Sequence, residues 1–352
     1  MSDQVYAAHT LPGLEGVAWE EIKAELGAPE LVYRGREVVL FTQQGPVQKL
    51  LGLRTTEDVF AVIDRRMDLS PTHYGLRQIR EGLARSSALD TALAAHREMY
   101  RKRVKRITYR VVAQMKGQHE FRRRDAQEEV VAAIQQRNPH WKPMAEDTHL
   151  ELWIDIQEGM AVTMLRLSDQ TMRHRKYKLA HIPASLRPTL AAAMVFLSRP
   201  QADDVFCDPM CGAGTILLER TWGGPAQAVL GGELDPAALE AAQANATASE
   251  RIRLCRWDAT QLPLADGAVA KIATNLPFGK QIGDPASLPQ LYGSFLAEAA
   301  RVLRPRGRAV LLTSERDLLE AALKGKPFYV RRQVSVGVLG QPATILVLER
   351  AV

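Results

Sequence analysis

Residues 208–215 decide the fold of this chain, and they read Asp208-Pro209-Met210-Cys211-Gly212-Ala213-Gly214-Thr215. They follow the apolar run Val205-Phe206-Cys207 and precede a helical pattern that ends at Gly223. We therefore predict a buried strand, a glycine-rich turn and a helix. The glycines let the backbone approach a ligand where a side chain would clash. The run departs from the dinucleotide-binding motif G-x-G-x-x-G, because Leu217 stands in place of the third glycine.

The same strand-and-helix unit repeats through the C-terminal half. Four predicted strands end at a polar side chain: Asp208, Glu233, Asp258 and Asn275. Three more predicted strands cover residues 309–312, 330–339 and 343–348. Gly340 lies between the last two, which indicates a hairpin. We expect an α/β fold with a mostly parallel seven-stranded sheet, helices on both faces and an antiparallel last strand.

The N-terminal half has a less regular pattern. Its predicted helices cover 14–26 and 126–136, and its predicted strands cover 38–41, 59–63, 107–112, 150–156 and 160–167. This mixture favours one or two small α+β modules. Residues 168–181 have the composition of a linker, so we expect the second domain to cover 182–352.

Composition excludes several classes of protein. The 352 residues are 46% hydrophobic and 24% charged, as in ordinary globular proteins, and no apolar run reaches the length of a membrane span. Met1 to Val5 lack the features of a signal peptide, so we expect a cytoplasmic protein. The three cysteines, Cys207, Cys211 and Cys255, are too few and too poorly spaced for a disulfide framework or a zinc site. We therefore expect reduced thiols and no bound metal.

Positive charge is concentrated in two segments, although the net charge is only +6. Residues 97–124 contain eleven lysines and arginines against Glu98 and Glu120. The second cluster reads Arg173-His174-Arg175-Lys176-Tyr177-Lys178. Two basic clusters with interleaved aromatic residues favour a polyanionic partner such as a nucleic acid.

Acidic residues at successive strand ends indicate the kind of ligand. Asp208 would repel a pyrophosphate but suits a cationic amino group, which favours S-adenosylmethionine over NAD. Glu233 suits the two hydroxyls of a ribose, and Asp235 either shares this role or caps the following helix. Asp258 and the Ala259 amide suit an adenine ring.

The motif Asn275-Leu276-Pro277-Phe278 follows the fourth predicted strand. An amide oxygen, a backbone carbonyl and an aromatic face suit a planar base with an exocyclic amino group. The same residues also suit an ordinary turn whose Phe278 packs against the core. The sequence of the motif leaves both interpretations open.

Residues 182–352 resemble the class I methyltransferases. The loop 208–215 together with Asn275-Leu276-Pro277-Phe278-Gly279 is similar to the THUMP-containing RNA guanine-N2 methyltransferases. Segments Leu11–Glu15, Arg173–Tyr177 and His181–Pro188 are also similar to stretches of that family. The resemblance implies a ferredoxin-like region over 1–60, a THUMP RNA-binding domain over 61–167, a linker over 168–181 and a Rossmann-like methyltransferase domain over 182–352.

The resemblance also implies an activity, namely methylation of the N2 amine of a guanosine in transfer RNA by S-adenosylmethionine. Two alternatives remain: the same chemistry on 23S ribosomal RNA, and an inactive RNA-binding protein. Asn275 and the Leu276 carbonyl would accept the protons of the amine, with Pro277 fixing the loop, and Phe278 would stack on the flipped base. The implied cofactor-binding residues are Leu186, Asp208, Pro209, Met210, Cys211, Gly212, Ala213, Gly214, Thr215, Glu233, Asp235, Asp258, Ala259 and Asn275.

The basic clusters would then bind RNA through its backbone. The expected contacts are Arg101, Lys102, Arg103, Lys105, Arg122, Arg123, Arg124, Arg173, Arg175 and Lys176. We expect the protein to act as a monomer without a membrane or metal partner.

Overall fold

A computed structural model describes residues 4–100, 106–180, 182, 185–247, 249–278, 285–338 and 340–352. Contacts divide the chain into two compact units. The first contains the described residues of Met1–His9 and Ile22–Met172, and the second contains Thr10–Glu21 and the described residues of Arg173–Val352. Within the described ranges, no helix is both long enough and apolar enough to cross a membrane.

The first unit is built around one eight-stranded sheet. Its strands are β1 (Val5–His9), β2 (Glu30–Gly35), β3 (Val38–Thr42), β4 (Asp58–Arg66), β5 (Thr108–Lys116), β6 (Lys142–Pro143), β7 (Leu150–Gln157) and β8 (Met160–Arg166). Helix α1 (Glu15–Glu25) begins in the other unit, and the remaining helices are α2 (Tyr74–Arg85), α3 (Ala88–Tyr100) and α4 (Arg123–Arg137). The strand order is β2-β3-β1-β4-β8-β7-β5-β6.

Strand β4 contains the expected boundary between residues 60 and 61. It pairs with β1 on one side and with β8 on the other, so the sheet continues through this position. Phe60, Trp153 and Met164 pack together in the core on one face of the sheet. The division of this unit into a ferredoxin-like region and a THUMP domain stays a prediction.

The second unit is built around a seven-stranded sheet. Its strands are β9 (Val205–Asp208), β10 (Ala228–Glu233), β11 (Ile252–Arg256), β12 (Val269–Asn275), β13 (Leu303–Thr313), β14 (Phe328–Val338) and β15 (Gln341–Arg350). Its helices are α5 (Pro188–Leu197), α6 (Thr215–Trp222), α7 (Pro236–Ala246), α8 (Leu288–Val302) and α9 (Arg316–Leu323). The strand order is β11-β10-β9-β12-β13-β15-β14, and β15 runs antiparallel to both of its neighbours. The predicted sheet, its hairpin and its antiparallel last strand are confirmed.

Both faces of this sheet are buried. Val310 and Leu312 of β13 belong to one hydrophobic cluster, whereas Leu311 belongs to the cluster on the opposite face. Helix α5 is apolar almost throughout and is buried along nearly its whole length. This pattern matches a parallel sheet covered by helices on both sides.

The strand order reverses between β9 and β12. These two strands are neighbours, although β10 and β11 come between them in the chain. In open α/β sheets a ligand binds at the carboxyl ends of the strands at such a reversal. The topology therefore places the candidate site where Asp208 and Asn275 end their strands.

An N-terminal segment belongs to the second unit. Leu14 and Val17 are buried in the same cluster as Val334 and Val336. Gly13 has a φ of +91°, and a Cβ at this position would lie 1.9 Å from the Ser335 carbonyl oxygen. The sequence-based division places residues 10–21 in the first domain, whereas their contacts place them with the second unit.

Candidate active site

The glycine loop between β9 and α6 needs its glycines for backbone geometry. Gly212 and Gly214 have φ values of +51° and +77°, a region that favours glycine. The Gly212 N–H donates to Oε2 of Glu233 at 3.0 Å, and the Cys211 N–H donates to the Gly232 carbonyl at 2.9 Å. The loop is therefore fastened to the end of β10.

Asp208 ends β9 and is only 1% exposed. Its Oδ1 accepts a hydrogen bond from the Met210 N–H at 3.3 Å. Burial raises the pKa of Asp208 to about 7, and the nearby Glu233 carboxylate adds to the rise. A cation placed beside this carboxyl group would lower its pKa again, so the site favours a positively charged ligand.

Glu233 ends β10 and has a carboxylate held by backbone amides. Its Oε1 accepts from the Leu234 and Asp235 N–H groups at 2.8 and 3.1 Å. With the bond from Gly212, three donors among the described residues fix its direction. A carboxylate has about four acceptor positions, so one lone pair remains for a ligand hydroxyl.

The other two acidic candidates also have structural roles. Asp235 caps α7, because its Oδ1 accepts from the Ala237 N–H at 3.0 Å. Asp258 lies two residues beyond β11 and accepts from the Thr260 N–H at 2.8 Å and the Thr260 hydroxyl at 2.7 Å. Its side chain is exposed, and Ala259 beside it is buried. Of the two roles left open for Asp235, the helix cap is the one that the structure displays.

Asn275 ends β12 and presents an unused acceptor. Its Oδ1 is buried and has no hydrogen-bond partner in the described part of the chain. A buried polar atom without a partner costs roughly 1–3 kcal/mol, so such atoms require an explanation. A ligand that donates a hydrogen bond at this position provides one.

The rest of the motif is anchored to the protein. Leu276 is buried, and its N–H donates to the Leu312 carbonyl at 2.9 Å. The Pro277 carbonyl accepts from the Tyr292 hydroxyl at 2.8 Å. Phe278 is half-buried and packs against the cluster that contains Leu312 and Leu186. The packing expected of a simple turn is therefore present, and it accompanies the unpartnered Asn275 oxygen.

The remaining cofactor candidates lie in or beside the glycine loop. Leu186 is buried, and its carbonyl accepts from Nζ of Lys178 at 2.8 Å. Thr215 begins α6 and is buried. Burial raises the pKa of the Cys211 thiol well above its ordinary value, so this cysteine stays protonated. Met210 is partly buried against the opposite cluster.

Two positioning residues escaped the sequence interpretation. The Trp257 Nε1–H donates to the Pro209 carbonyl at 3.1 Å, and a Cβ on Gly232 would lie 1.6 Å from this nitrogen. The fully buried Asn245 donates to the carbonyls of Ala213 and Ala180 at 2.9 and 3.0 Å. Its Oδ1 accepts from the N–H groups of residues 179 and 180 at 2.8 Å each. Both roles depend on contacts between residues distant in sequence. The paired glycines 231 and 232 are the one sequence feature that indicates close packing against β10.

The predicted RNA contacts differ in their surroundings. Arg122, Arg123 and Arg124 are exposed around the start of α4, and Arg124 pairs with Glu128 of the same helix at 2.9 Å. Four others lie outside the described residues, as do parts of the similar segments: Arg101, Lys102, Arg103, Lys105, His181, Pro183, Ala184 and Gly279.

The second basic cluster is largely folded into its own unit. The Arg175 side chain is only 8% exposed and lies 3.4 Å from Oε1 of the buried Glu219. Tyr177 also donates its hydroxyl to Glu219. Arg173 is half-buried, and Lys176 is exposed. Arg175 thus has a structural role, because its charge is used inside the protein, and Lys176 is the member best placed to reach a ligand in solution.

Within the described residues, no three histidine, cysteine, aspartate or glutamate side chains cluster as metal ligands do.

Comparisons with known proteins show which chains this one is similar to. Residues 175–341 match the family model described as UPF0020, RMKL-like methyltransferase domain. The bovine tRNA (guanine(6)-N(2))-methyltransferase THUMP3 is 30% identical over 69% of this chain and 51% of its own length. The Thermus thermophilus tRNA (guanine(6)-N2)-methyltransferase is 32% identical over 61% of this chain and 65% of its own. The mouse U6 snRNA (guanine-N(2))-methyltransferase THUMPD2 is 32% identical over 53% of this chain and 34% of its own.

A solved structure extends the likeness to both units. TrmN from Thermus thermophilus matches with a TM-score of 0.78 and 28% sequence identity, covering 99% of each chain. By sequence, the chain spans about half the length of the bovine, mouse and human THUMP3 relatives.

Proposed function

We propose that this chain, whose residues 175–341 match the RMKL-like methyltransferase domain UPF0020, methylates the N2 amine of a guanosine in transfer RNA. One observation carries the choice of chemistry. The buried, unpartnered Oδ1 of Asn275 lies at a strand end beside the glycine loop. An acceptor without a partner among the described residues is suited to the N–H of an amine.

The cofactor is S-adenosylmethionine, which supplies an electrophilic methyl group on a sulfonium. Asp208 suits the ammonium group, because a cation offsets the burial of its carboxylate. We assign the ribose to the remaining acceptor capacity of Glu233. We assign the adenine to Asp258 and Ala259, as the sequence suggests. Gly212 and Gly214 leave room for a close approach to the loop.

The motif at Asn275 prepares the amine. An aryl amine is a weak nucleophile because its lone pair is delocalised into the ring. If the Asn275 Oδ1 and the Leu276 carbonyl accept its two protons, the nitrogen becomes more pyramidal and its lone pair is directed at the methyl group. This chemistry needs positioning and electrostatic stabilisation rather than a strong base. The half-buried Phe278 would stack on the flipped base.

The names of the relatives agree on the methylated base but differ in the RNA. The bovine, bacterial and mouse relatives are all named for methylation at guanine N2. The bovine and bacterial ones are named for transfer RNA guanine 6, whereas the mouse THUMPD2 is named for U6 snRNA. We therefore propose transfer RNA as substrate, with guanosine 6 as the first position to examine.

The proposal assigns RNA binding to a THUMP domain in the first unit. The exposed Arg122, Arg123 and Arg124 support it, because surface guanidinium groups bind phosphates. The protein would act as a cytoplasmic monomer with RNA as its macromolecular partner. Cys207 and Cys211 are buried free thiols, as a reducing compartment maintains them.

The proposal is tested by incubating the purified protein and S-adenosylmethionine separately with unmodified transfer RNA, ribosomal RNA and small nuclear RNA. Nucleoside mass spectrometry then identifies the product. We expect N2-methylguanosine in transfer RNA. Its formation in ribosomal RNA alone would support the ribosomal alternative. Absence of S-adenosylmethionine binding in calorimetry would support an inactive RNA-binding protein.

A further inference from the structure

Tyr292 of α8 connects two strand ends of the candidate site. The residue is 0% exposed, and its hydroxyl lies 2.8 Å from the Pro277 carbonyl oxygen and 3.0 Å from Oγ1 of Thr313. Thr313 is the last residue of β13, and its Oγ1 also accepts from the Glu315 N–H at 2.8 Å. These contacts form a continuous chain of hydrogen bonds that ends at the Asn275 motif.

The direction of each bond in this chain is determined. A carbonyl oxygen can only accept, so the Tyr292 hydroxyl donates to Pro277. The hydroxyl must then accept from Thr313, and the Thr313 oxygen accepts from the backbone of Glu315. Burial raises the pKa of Tyr292 to about 12, so the hydroxyl keeps its proton at neutral pH.

The motif is held from β13 at two points. The Leu276 N–H donates directly to the Leu312 carbonyl at 2.9 Å, and the Pro277 carbonyl is reached from Thr313 through Tyr292. The Leu276 carbonyl lies between these two anchors in the chain, and Asn275 immediately precedes them. The two anchors flank the Leu276 carbonyl and hold the backbone directly after Asn275, so they restrict the direction in which each acceptor points.

We propose that Tyr292 and Thr313 are positioning residues that aim the acceptors of Asn275 and Leu276 at the amine. This inference rests on the proposed function and extends it to two residues that do not touch the substrate. They hold a neighbouring carbonyl, so their loss affects the rate of transfer more than it affects the binding of S-adenosylmethionine. A misplacement of about 1 Å at a reacting centre can cost about 100-fold in rate.

Tyr292→Phe removes only the hydroxyl and keeps the packed ring. We expect kcat to fall about 10- to 100-fold. The Kd for S-adenosylmethionine and the KM for RNA should stay within about twofold, because the cofactor residues remain in place. Thr313→Val should reproduce the loss, and Thr313→Ser, which keeps the hydroxyl, should restore most of the rate. Tyr109→Phe is the matched control, because Tyr109 is a buried tyrosine of the other unit.

A double mutant separates positioning from a general loss of stability. If Tyr292 acts through the Asn275 motif, Tyr292→Phe should cost little more once Asn275→Ala is present. Tyr292→Phe with kcat within twofold of the wild type, or an undiminished loss in the Asn275→Ala background, would overturn the inference.

Hydrogen exchange at the Leu276 amide tests the anchoring without any turnover. We expect faster exchange in Tyr292→Phe and no change in Tyr109→Phe. An unchanged Leu276 exchange rate would overturn the inference. A wild-type protein that transfers no methyl group to RNA would instead refute the proposed function, and the exchange measurement would still decide the anchoring.

Discussion

Asp208 and Asn275 end neighbouring strands, and each buries a polar group where the proposed function places a ligand. The Asp208 carboxyl group is buried near the Glu233 carboxylate, and both effects raise its pKa. The Asn275 oxygen has no hydrogen-bond donor among the residues that the structure describes. A buried carboxyl group and a buried acceptor without a donor both lower the stability of the free protein. Such groups are common at sites where a ligand supplies the missing interaction.

The raised pKa of Asp208 leads us to expect a pH-dependent affinity for S-adenosylmethionine. Its pKa of about 7 in the free protein should fall when the ammonium group binds, so binding releases a proton below pH 7. The affinity should therefore rise with pH by up to about tenfold per unit below pH 7 and level off above it. Calorimetry in buffers of different ionisation enthalpy measures both quantities.

Asp208→Asn is the control for this pH dependence. We expect it to bind weakly at every pH, with no change between pH 6 and 8. A wild-type affinity that does not vary over this range would show that Asp208 does not meet the ammonium group.

At the scale of elements, β10 has a pair of glycines, 231 and 232, just before its last residue, because side chains of other elements occupy the space beside them. A Cβ on Gly232 would overlap the Trp257 ring, which is itself bonded to the Pro209 carbonyl. The glycine, the tryptophan and the glycine loop therefore form one packed unit. Hydrophobic periodicity predicts β10 but does not show this contact, because Trp257 follows a different strand.

Gly232→Ala should destabilise the protein by about 2–3 kcal/mol, because Trp257 must move. Gly293→Ala on α8 is the matched control, since its Cβ would have no atom within 4 Å. A helical Gly-to-Ala change with free space should stabilise by about 0.5–1 kcal/mol. Urea unfolding monitors both variants. Equal stabilities would contradict the packing of Trp257 on Gly232.

Asn245 of α7 links the glycine loop to residues 179 and 180 by hydrogen bonds. Asn245→Ala leaves the carbonyls of Ala213 and Ala180 without their donors. We expect a stability loss of roughly 1–3 kcal/mol and weaker binding of S-adenosylmethionine. Calorimetry and thermal unfolding measure these effects, with Asn138→Ala in the other unit as control. Unchanged cofactor affinity would mean that the loop holds its shape without Asn245.

How far sequence predicts each element depends on how local its signals are. Helix α6 and strand β12 were predicted within about a residue, because apolar runs and glycine or proline turns mark their ends. Helices α2 and α3 were not predicted, although buried residues such as Ile79 and Leu83 of α2 recur at helical spacing. Asn245, Trp257 and Tyr292 look ordinary in sequence, because their roles come from partners 15 to 66 residues away.

At the scale of the whole molecule, tertiary contacts decide which basic residues stay exposed and which unit a segment joins. The basic cluster at Arg122 to Arg124 remains exposed in the first unit, whereas Arg175 is used inside the second. Counting charges in the sequence treats the two clusters alike. Burial in the folded protein distinguishes them, because it leaves the first cluster exposed and pairs Arg175 with Glu219. In the same way, the packing of residues 10–21 with the second unit depends on contacts with β14, more than 300 residues later, which local patterns do not reveal.

Replacing Arg122, Arg123 and Arg124 together by glutamine should weaken RNA binding. Each lost phosphate contact lowers the slope of log K against log salt concentration by about 0.7–0.9, so the slope should fall by about 2–3. Filter binding across a salt series measures it. The control variant carries Lys324→Gln and Lys326→Gln in the second unit. A slope equal to that of the wild type would remove the cluster from the RNA interface.

The central claim is that Asn275 directs methyl transfer to guanine N2, and single-turnover transfer to transfer RNA tests it most directly. The wild type and Asn275→Ala are compared with methyl-labelled S-adenosylmethionine, and the product is identified by nucleoside mass spectrometry. We predict N2-methylguanosine, formed at least about 100-fold more slowly by Asn275→Ala, with cofactor affinity near that of the wild type. Equal rates for the two proteins, or a different methylated nucleoside, would contradict the account.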